Sequence, residues 1–286
     1  MPNICILTPA ENYEEDWSVL KADYRRLFGD AINFRRWTDP GKLSEFDLVS
    51  PLIAWGYHRD WPRWLALLDR LEVEGRPICN PVRVLRWNSD KSYLAELDAA
   101  GVATVPTLLS EASDQAALDQ ARSEFGADIL VIKPPVSGGA DGTFRLASSD
   151  PFPTSVSGKR MMIQPFMPNI AAEGEYSLFY FGGNLSHSII KHPAKGDFRV
   201  QNQFGGYEEA IDAPDAAMAL AAASVAATAL ITQAAALACA RVDMLRDDGG
   251  HFRLMELELI EPSLFLRFAP DSGTAFADAM LSCGGQ

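Results

Sequence analysis

The sequence predicts an α/β chain: an open α/β domain over 1–86, followed by α+β lobes over 87–286. Three observations carry this reading. Residues 3–86 alternate short apolar runs with amphipathic stretches in a β-α-β-β-α-β order, the pattern of an open layered sheet. Apolar runs of strand length, separated by Gly- and Pro-bearing turns, dominate 128–192 and 241–259. A charge-free stretch over 216–240 interrupts those runs as one long helix. A length of 286 residues accommodates two such parts.

The elements follow in order. Residues 3–8 read as a buried opening strand and 13–28 as a helix rich in charge and aromatics. Strands are expected over 32–37 and 46–54. Residues 61–74 place Trp64, Leu67, Leu68 and Leu71 on one helical face. A short strand over 77–81 ends in a turn. A helix over 91–100 stops at Gly101, and 102–109 is a strand containing Pro106. Ser110 is the expected N-cap of a helix over 111–125. The run 128–133 is a strand, 134–142 a glycine-rich loop, and 143–147 and 160–166 are strands. Further strands are expected over 175–182, 185–192, 198–200 and 252–259. Another strand follows the Ala-rich helix and carries Asp243, and a tail helix covers 273–282.

Composition limits the partners. There are 38 Asp and Glu against 25 Lys and Arg, a formal net charge of −13. A surface this acidic repels nucleic-acid phosphates and anionic membranes, yet leaves room for a local basic pocket. Of the 25 positions in 216–240, 14 are alanine. Ser224, Thr228 and Thr232 form an i, i+4 polar line there, so a close-packed soluble helix is expected instead of a membrane span. Four cysteines without a C-x-x-C spacing and only four histidines argue against zinc or a disulfide framework. The start of the chain lacks a basic stretch followed by a long apolar one, so the cytoplasm is expected.

Chemistry gathers at three places. Lys133 ends an apolar strand and is followed by the loop Ser137-Gly138-Gly139, whose backbone N–H groups can approach a phosphate. Lys91 opens a helix. Glu256 and Glu258 are two apart on a strand and share a face, with Asp243 on the strand before. Carboxylates so placed repel unless a cation sits between them, and oxygen ligands suit Mg²⁺ or Mn²⁺.

Two spaced lysines, a glycine loop and a late Asp…Glu-x-Glu set resemble the ATP-grasp superfamily. Within it, the chain is similar to the glutathione-synthetase-like and ribosomal-modification-type ligases along its whole length, most strongly over 128–142, 161–182 and 241–263. The resemblance implies a pre-ATP-grasp substrate domain over 1–86 and an ATP-grasp domain over 87–286. The small lobe would cover about 104–165 and the large lobe about 166–286. It further implies that Lys91 and Lys133 contact the nucleotide phosphates under a flap formed by Ser137, Gly138 and Gly139. Gln164, Phe166 and Met167 would form the hinge at the adenine, with Phe166 or Met167 packed on it. Glu175, or its neighbour Glu173, would bind the ribose. Arg199 would face the acyl phosphate, and Asp243, Glu256 and Glu258 would hold Mg²⁺ or Mn²⁺.

Two departures stand out. Ser177 occupies a place where the family often has arginine, and Lys191 on the next strand can replace that charge. Glu258 stands where asparagine is frequent. Tyr57, His58 and Arg59, together with the segment near Arg267, are the candidate contacts for substrate. The implied activity is ATP-dependent carboxylate–amine ligation of a small, amino-acid-like acid through an acyl phosphate. Short members include small-amino-acid ligases of the cycloserine-forming type, and such ligases often form homodimers. The alternatives are a nucleotide-binding protein without ligase activity, or a small-molecule kinase.

Overall fold

A computed structural model describes residues 2–284. The chain opens with β1 (Ile4–Thr8), α1 (Ser18–Phe28), β2 (Ile32–Arg36) and β3 (Leu48–Ser50). These strands form a parallel sheet of order β2-β1-β3. β1 is buried throughout because it is the central strand. The first helix starts later than its composition suggests. Asp16 accepts hydrogen bonds from the Ser18 N–H and hydroxyl, so the residues before it form a turn. The strand expected over 46–54 shortens to three residues, because the chain turns at Pro51 and crosses back to bond Leu7.

α2 (Trp61–Glu74) matches its apolar periodicity, with Trp64, Leu67, Leu68 and Leu71 buried. Asp60 caps it by accepting from the Arg63 N–H, and Gly75 ends it at φ 57°. Residues 77–81 do not form a strand; Ile78 makes only an isolated parallel bridge to Val49. Two short helices follow, α3 (Val82–Asn88) and α4 (Tyr93–Ala99).

A second sheet has the antiparallel order β4-β7-β5-β6, from β4 (Leu108–Ser110), β5 (Leu130–Lys133), β6 (Phe144–Leu146) and β7 (Met161–Pro165). Its covering helix α5 (Gln115–Phe125) is capped by Asp114 and not by Ser110. The third sheet follows α6 (Asn169–Ala172) and has the order β10-β9-β8-β11-β12. Its strands are β8 (Glu175–Phe181), β9 (Asn184–His192), β10 (Tyr207–Ala210), β11 (Cys239–Arg246) and β12 (Phe252–Glu258). Residues 198–200 are irregular, so the edge strand is β10 and not the segment expected there.

The Ala-rich helix α7 (Asp215–Thr232) ends earlier than the charge-free stretch, where Gln233 turns at φ 53°. It is long and apolar enough to cross a membrane by length and composition, with mean hydropathy 1.6. Its stripe of Ala217, Ala221, Ser224, Thr228 and Thr232 is buried against the five-stranded sheet and the short helices. The three hydroxyls on that stripe each donate to the carbonyl four residues back, at 2.7–2.8 Å, so none is left unpaired in the core. The tail helix α8 (Thr274–Cys283) buries Phe276 and Met280 against α1 and the five-stranded sheet.

Two buried asparagines tie the first part of the chain to this sheet. Asn80 donates to the carbonyls of Cys239 (2.9 Å) and Leu259 (2.8 Å) and accepts from the Ala238 N–H at 2.7 Å. Asn88 bonds the Leu257 carbonyl and the Leu259 N–H. Replacing Asn80 with alanine orphans three buried backbone groups, each worth about 1–3 kcal/mol. Urea denaturation of Asn80→Ala is therefore expected to show a loss of about 3 kcal/mol or more. A loss below about 1 kcal/mol would mean that this tie is unimportant.

Candidate active site

A cavity of about 640 Å³ lies where the three sheets meet. Its floor is one face of the five-stranded sheet, and register decides which side chains meet there. Glu175 pairs across strands with Lys191, Ser177 with Asp243, Arg241 with Glu258, and Asp243 with Glu256. Residues two apart share a face, so six charged side chains and one hydroxyl collect on the same surface.

Asp243 sits at the centre and is 2% exposed. One of its oxygens accepts from the Ser177 hydroxyl at 2.6 Å, and the other from Arg241 Nη2 at 2.8 Å and Lys191 Nζ at 3.4 Å. Burial alone would raise its pKa, but Arg241 and Lys191 outweigh it and hold the carboxyl near about 2. Arg241 also pairs with Glu258, and Lys191 with Glu175. The cations beside Asp243 are Arg241 on its own strand and Lys191 on β9, and Ser177 adds a hydroxyl donor.

Glu256 and Glu258 turn toward the cavity, with side chains 24% and 27% exposed. Burial first, then repulsion from Asp243 and Glu256 against the opposing pull of Arg241, lifts Glu258 to about 7. Glu256 faces Lys91 at 3.3 Å. The three predicted metal ligands are therefore neighbours, but Asp243 is closed off by Ser177, Arg241 and Lys191. Among the described residues, no three carboxylate, histidine or cysteine side chains form an open metal cluster. The donor chemistry of Glu256 and Glu258 fits a hard divalent ion, which would relieve the repulsion between them.

The phosphate-type elements also converge. Lys91 is buried; its ammonium bonds the Ser137 carbonyl and lies 3.4 Å from the Ser137 hydroxyl. It joins the glycine loop to Glu256. Lys133, at the end of β5, lines the cavity with no ion-pair partner among the described residues. Burial pushes its pKa down. The loop packs on the first part of the chain: a Cβ at Gly138 would stand 3.0 Å from His58 Nδ1. The His58 ring is 8% exposed, and burial holds its pKa at about 4, so it is neutral at pH 7. Tyr57 lines the cavity but stacks in the core on Trp64, with centroids 4.8 Å apart.

The hinge residues divide their roles. Gln164 spends its amide on the Thr107 hydroxyl at 2.8 Å, and the Phe166 N–H is taken by Ile129. Phe166 lies under Arg145 and edge-on to Phe198. Met167 joins an apolar group of Val105, Ile170, Val200, Leu245 and Met255 that lines the cavity. Arg199 is not drawn to Lys91 and Lys133. It is clamped by Asp197 at 2.8 and 3.1 Å and stacked on Phe204 at 3.6 Å. Arg267 pairs with Glu208 and covers Phe268 at the cavity edge. Glu175 lines the cavity, whereas Glu173 pairs outside it with Arg246.

The residue missed in the sequence is Arg241. Its signal was present, since Arg241-x-Asp243 repeats the two-residue spacing of Glu256-x-Glu258.

Comparisons with known proteins show the family. Residues 4–80 match the family model described as the N-terminal domain of D-cycloserine synthetase DcsG. The chain is 32% identical over 249 residues to the cycloserine biosynthesis protein DcsG of Streptomyces lavendulae, covering 83% of each. It belongs to the cycloserine-synthetase family of ATP-grasp ligases. It is thus an ATP-dependent ligase that forms carbon–nitrogen bonds, as its glycine loop and lysines suggest. The crystal structure of D-cycloserine synthetase DcsG superimposes with TM-score 0.85 at 27% identity, over 98% of this chain and 99% of that one. A D-alanine–D-alanine ligase from Bacillus anthracis, solved with ATP, shares the fold at TM-score 0.69 and 17% identity, covering 98% and 96%.

Lys133 is half-buried and makes no ion pair among the described residues, with Glu256 and Glu175 as the opposing charges that act on it from farther away. Burial still disfavours its charge until an anion arrives. Lys133→Met is expected to raise the unfolding free energy of the free protein by about 1 kcal/mol while abolishing the thermal shift produced by Mg-ATP. A destabilised variant that still responds to Mg-ATP would contradict this placement.

Proposed function

We propose that this chain activates the carboxylate of a small amino-acid-like acid with ATP and Mg²⁺, and passes the acyl group to an amine. The observation that carries this is the meeting of Lys133, Lys91 and the Glu256–Glu258 pair in one cavity walled by the first domain. Residues 1–86 present the acid, and the two lobes of 87–286 hold the nucleotide.

The acid's carboxylate and the ATP γ-phosphate are both anions and repel one another. Lys91 and Lys133 offset that repulsion. Lys91 already holds the Ser137 carbonyl, so phosphate binding and loop position compete for the same ammonium. Gly138 and Gly139 allow the loop to close and exclude water from the acyl phosphate. The apolar group around Met167 suits a purine, and Glu175 suits the ribose hydroxyls. Mg²⁺ held by Glu256 and Glu258 would neutralise charge on the transferring phosphoryl group. Arg241 stands beside Glu258, where negative charge gathers on the acyl phosphate and the leaving phosphate. Arg199 reaches that charge only if it exchanges Asp197 for it.

The name of the curated relative directs attention to cycloserine, whose ring joins a carboxyl carbon to an aminooxy nitrogen. An acid that carries its own nucleophile suits a cavity with one aromatic-walled end. An acidic surface and small-molecule chemistry are consistent with work in the cytoplasm, and a homodimer is the assembly we expect.

The test is a screen of D-amino acids and O-amino-D-serine with Mg-ATP, read as ADP and phosphate release. Acid-dependent release of both is expected. Glu256→Gln should lower turnover about 100-fold while leaving the fold intact by circular dichroism. ATP binding without turnover across the screen would favour a non-catalytic nucleotide binder. A stable phosphorylated product without free phosphate would favour a kinase.

A further inference from the structure

Eight carboxylates line the cavity. Glu15 accepts from the Tyr13 hydroxyl at 3.1 Å. Asp16 accepts from Ser18, and Asp23 faces Arg26 at 3.4 Å. Glu175 and Asp243 share Lys191. Glu256 faces Lys91, and Glu258 pairs with Arg241. Those seven have partners. Glu261 remains, and among the described residues its carboxylate has neither a cation nor a side-chain hydrogen-bond donor.

Glu261 is fixed at the end of the cavity formed by the first part of the chain. The Trp55 indole donates to its carbonyl at 3.1 Å, which holds it against the 55–58 loop. Its surroundings disfavour a lone negative charge. Burial first, then repulsion from Glu258 and Glu256, pushes its pKa up to about 8 against the opposing pull of Lys91 and of a hydrogen bond from its own backbone N–H. A half-buried carboxylate crowded by other carboxylates favours taking a proton or a cation. Lys133 is the complementary case, a cation awaiting an anion at the nucleotide end. The cavity thus holds two groups of opposite sign that make no ion pair among the described residues.

A second observation points to a ligand at the Glu261 end. The His58 ring is 8% exposed and lines the same cavity next to Tyr57. Both its ring nitrogens are buried without a partner at hydrogen-bond distance, although the Asp141 carboxylate lies 3.7 Å from Nε2. Native interiors rarely leave such atoms unpaired, and a bound polar molecule would satisfy them.

We propose that Glu261 binds the ammonium group of the acid substrate and so selects amino acids over carboxylic acids that lack an amine. The assignment rests on the ligase reading above. The ammonium supplies the charge that Glu261 lacks. An acid without the amine leaves Glu261 uncompensated. Sites built to pair a substrate group reject the analogue that lacks it far more strongly than apolar pockets reject a missing methylene. Glu15, Asp16 and Asp23 are poorer candidates, since each already has a partner.

The experiment uses the full chain in two assays. Calorimetry with Mg²⁺ and a non-hydrolysable ATP analogue measures binding of D-alanine and D-serine against propionate and 3-hydroxypropionate. Hydroxamate formation with Mg-ATP and hydroxylamine measures activation of the same acids. The wild type is expected to prefer the amino acids. Glu261→Gln should weaken their binding at least tenfold, leave the des-amino acids unchanged, and preserve nucleotide affinity. Glu261→Asp should recover part of the preference. Equal binding of the two acid classes by the wild type, or an unchanged preference in Glu261→Gln, overturns the assignment. So does a loss that is reversed by raising Mg²⁺, which would make Glu261 a metal ligand. Glu261-dependent binding without any hydroxamate upholds the assignment and instead removes the ligase reading.

Discussion

A buried charge must be compensated where it lies, and Asp243 imposes that requirement on the whole five-stranded sheet. It sits on the central part of β11 with almost no solvent. Its compensation comes from Arg241 on its own strand, Lys191 on β9 and Ser177 on β8. Removing one partner from such a set typically costs about 3–5 kcal/mol. An exposed pair such as Arg36 with Glu11 contributes at most about 1 kcal/mol. Strand register is fixed accordingly, because a slip of one residue would send each of these side chains to the opposite face. Glu175 and Glu258 are then drawn in as further counter-charges, and the floor of the cavity follows.

The rest of the site is arranged around that floor by long-range ties. Asn80 and Asn88 fasten the first part of the chain to β11, β12 and the residues beside them through buried backbone bonds. His58 meets Gly138 from the other side, so the glycine loop rests on the substrate wall as well as on Lys91. Nucleotide and acid therefore act on the same loop from two directions. The result is an acidic protein whose cavity holds one lysine and one glutamate that make no ion pair among the described residues.

Much of this was legible in the sequence wherever the signal was local. The 3.6-residue spacing of Trp64, Leu67, Leu68 and Leu71 defined α2, and the uniform apolar run before Lys133 defined β5. Lys91, Lys133 and the Glu-x-Glu spacing pointed to residues that the fold brings to one cavity. Features decided by distant partners were hidden. α3 has only seven residues, too few for a periodic signal, and is fixed by Asn88 bonding β12 and the residue after it. Residues 198–200 have strand-like composition, but Asp197 gathers the Phe198 and Arg199 N–H groups and turns the chain there. Arg199 is held by that same neighbour. Arg241 looked like a charge flanking an alanine-rich stretch until register put it opposite Glu258. The resemblance placed Glu261 only in a turn, Glu261-Pro262-Ser263, toward substrate, because its lack of a partner depends on every other residue in the cavity.

The central claim is that the substrate's own carboxylate takes the γ-phosphoryl group of ATP. It is tested most directly by supplying an acid labelled with ¹⁸O in its carboxylate, together with Mg-ATP and the nucleophile. The phosphate released is then analysed by mass spectrometry. Transfer of one ¹⁸O atom into that phosphate is the result the account predicts. Turnover that releases only unlabelled phosphate would contradict it.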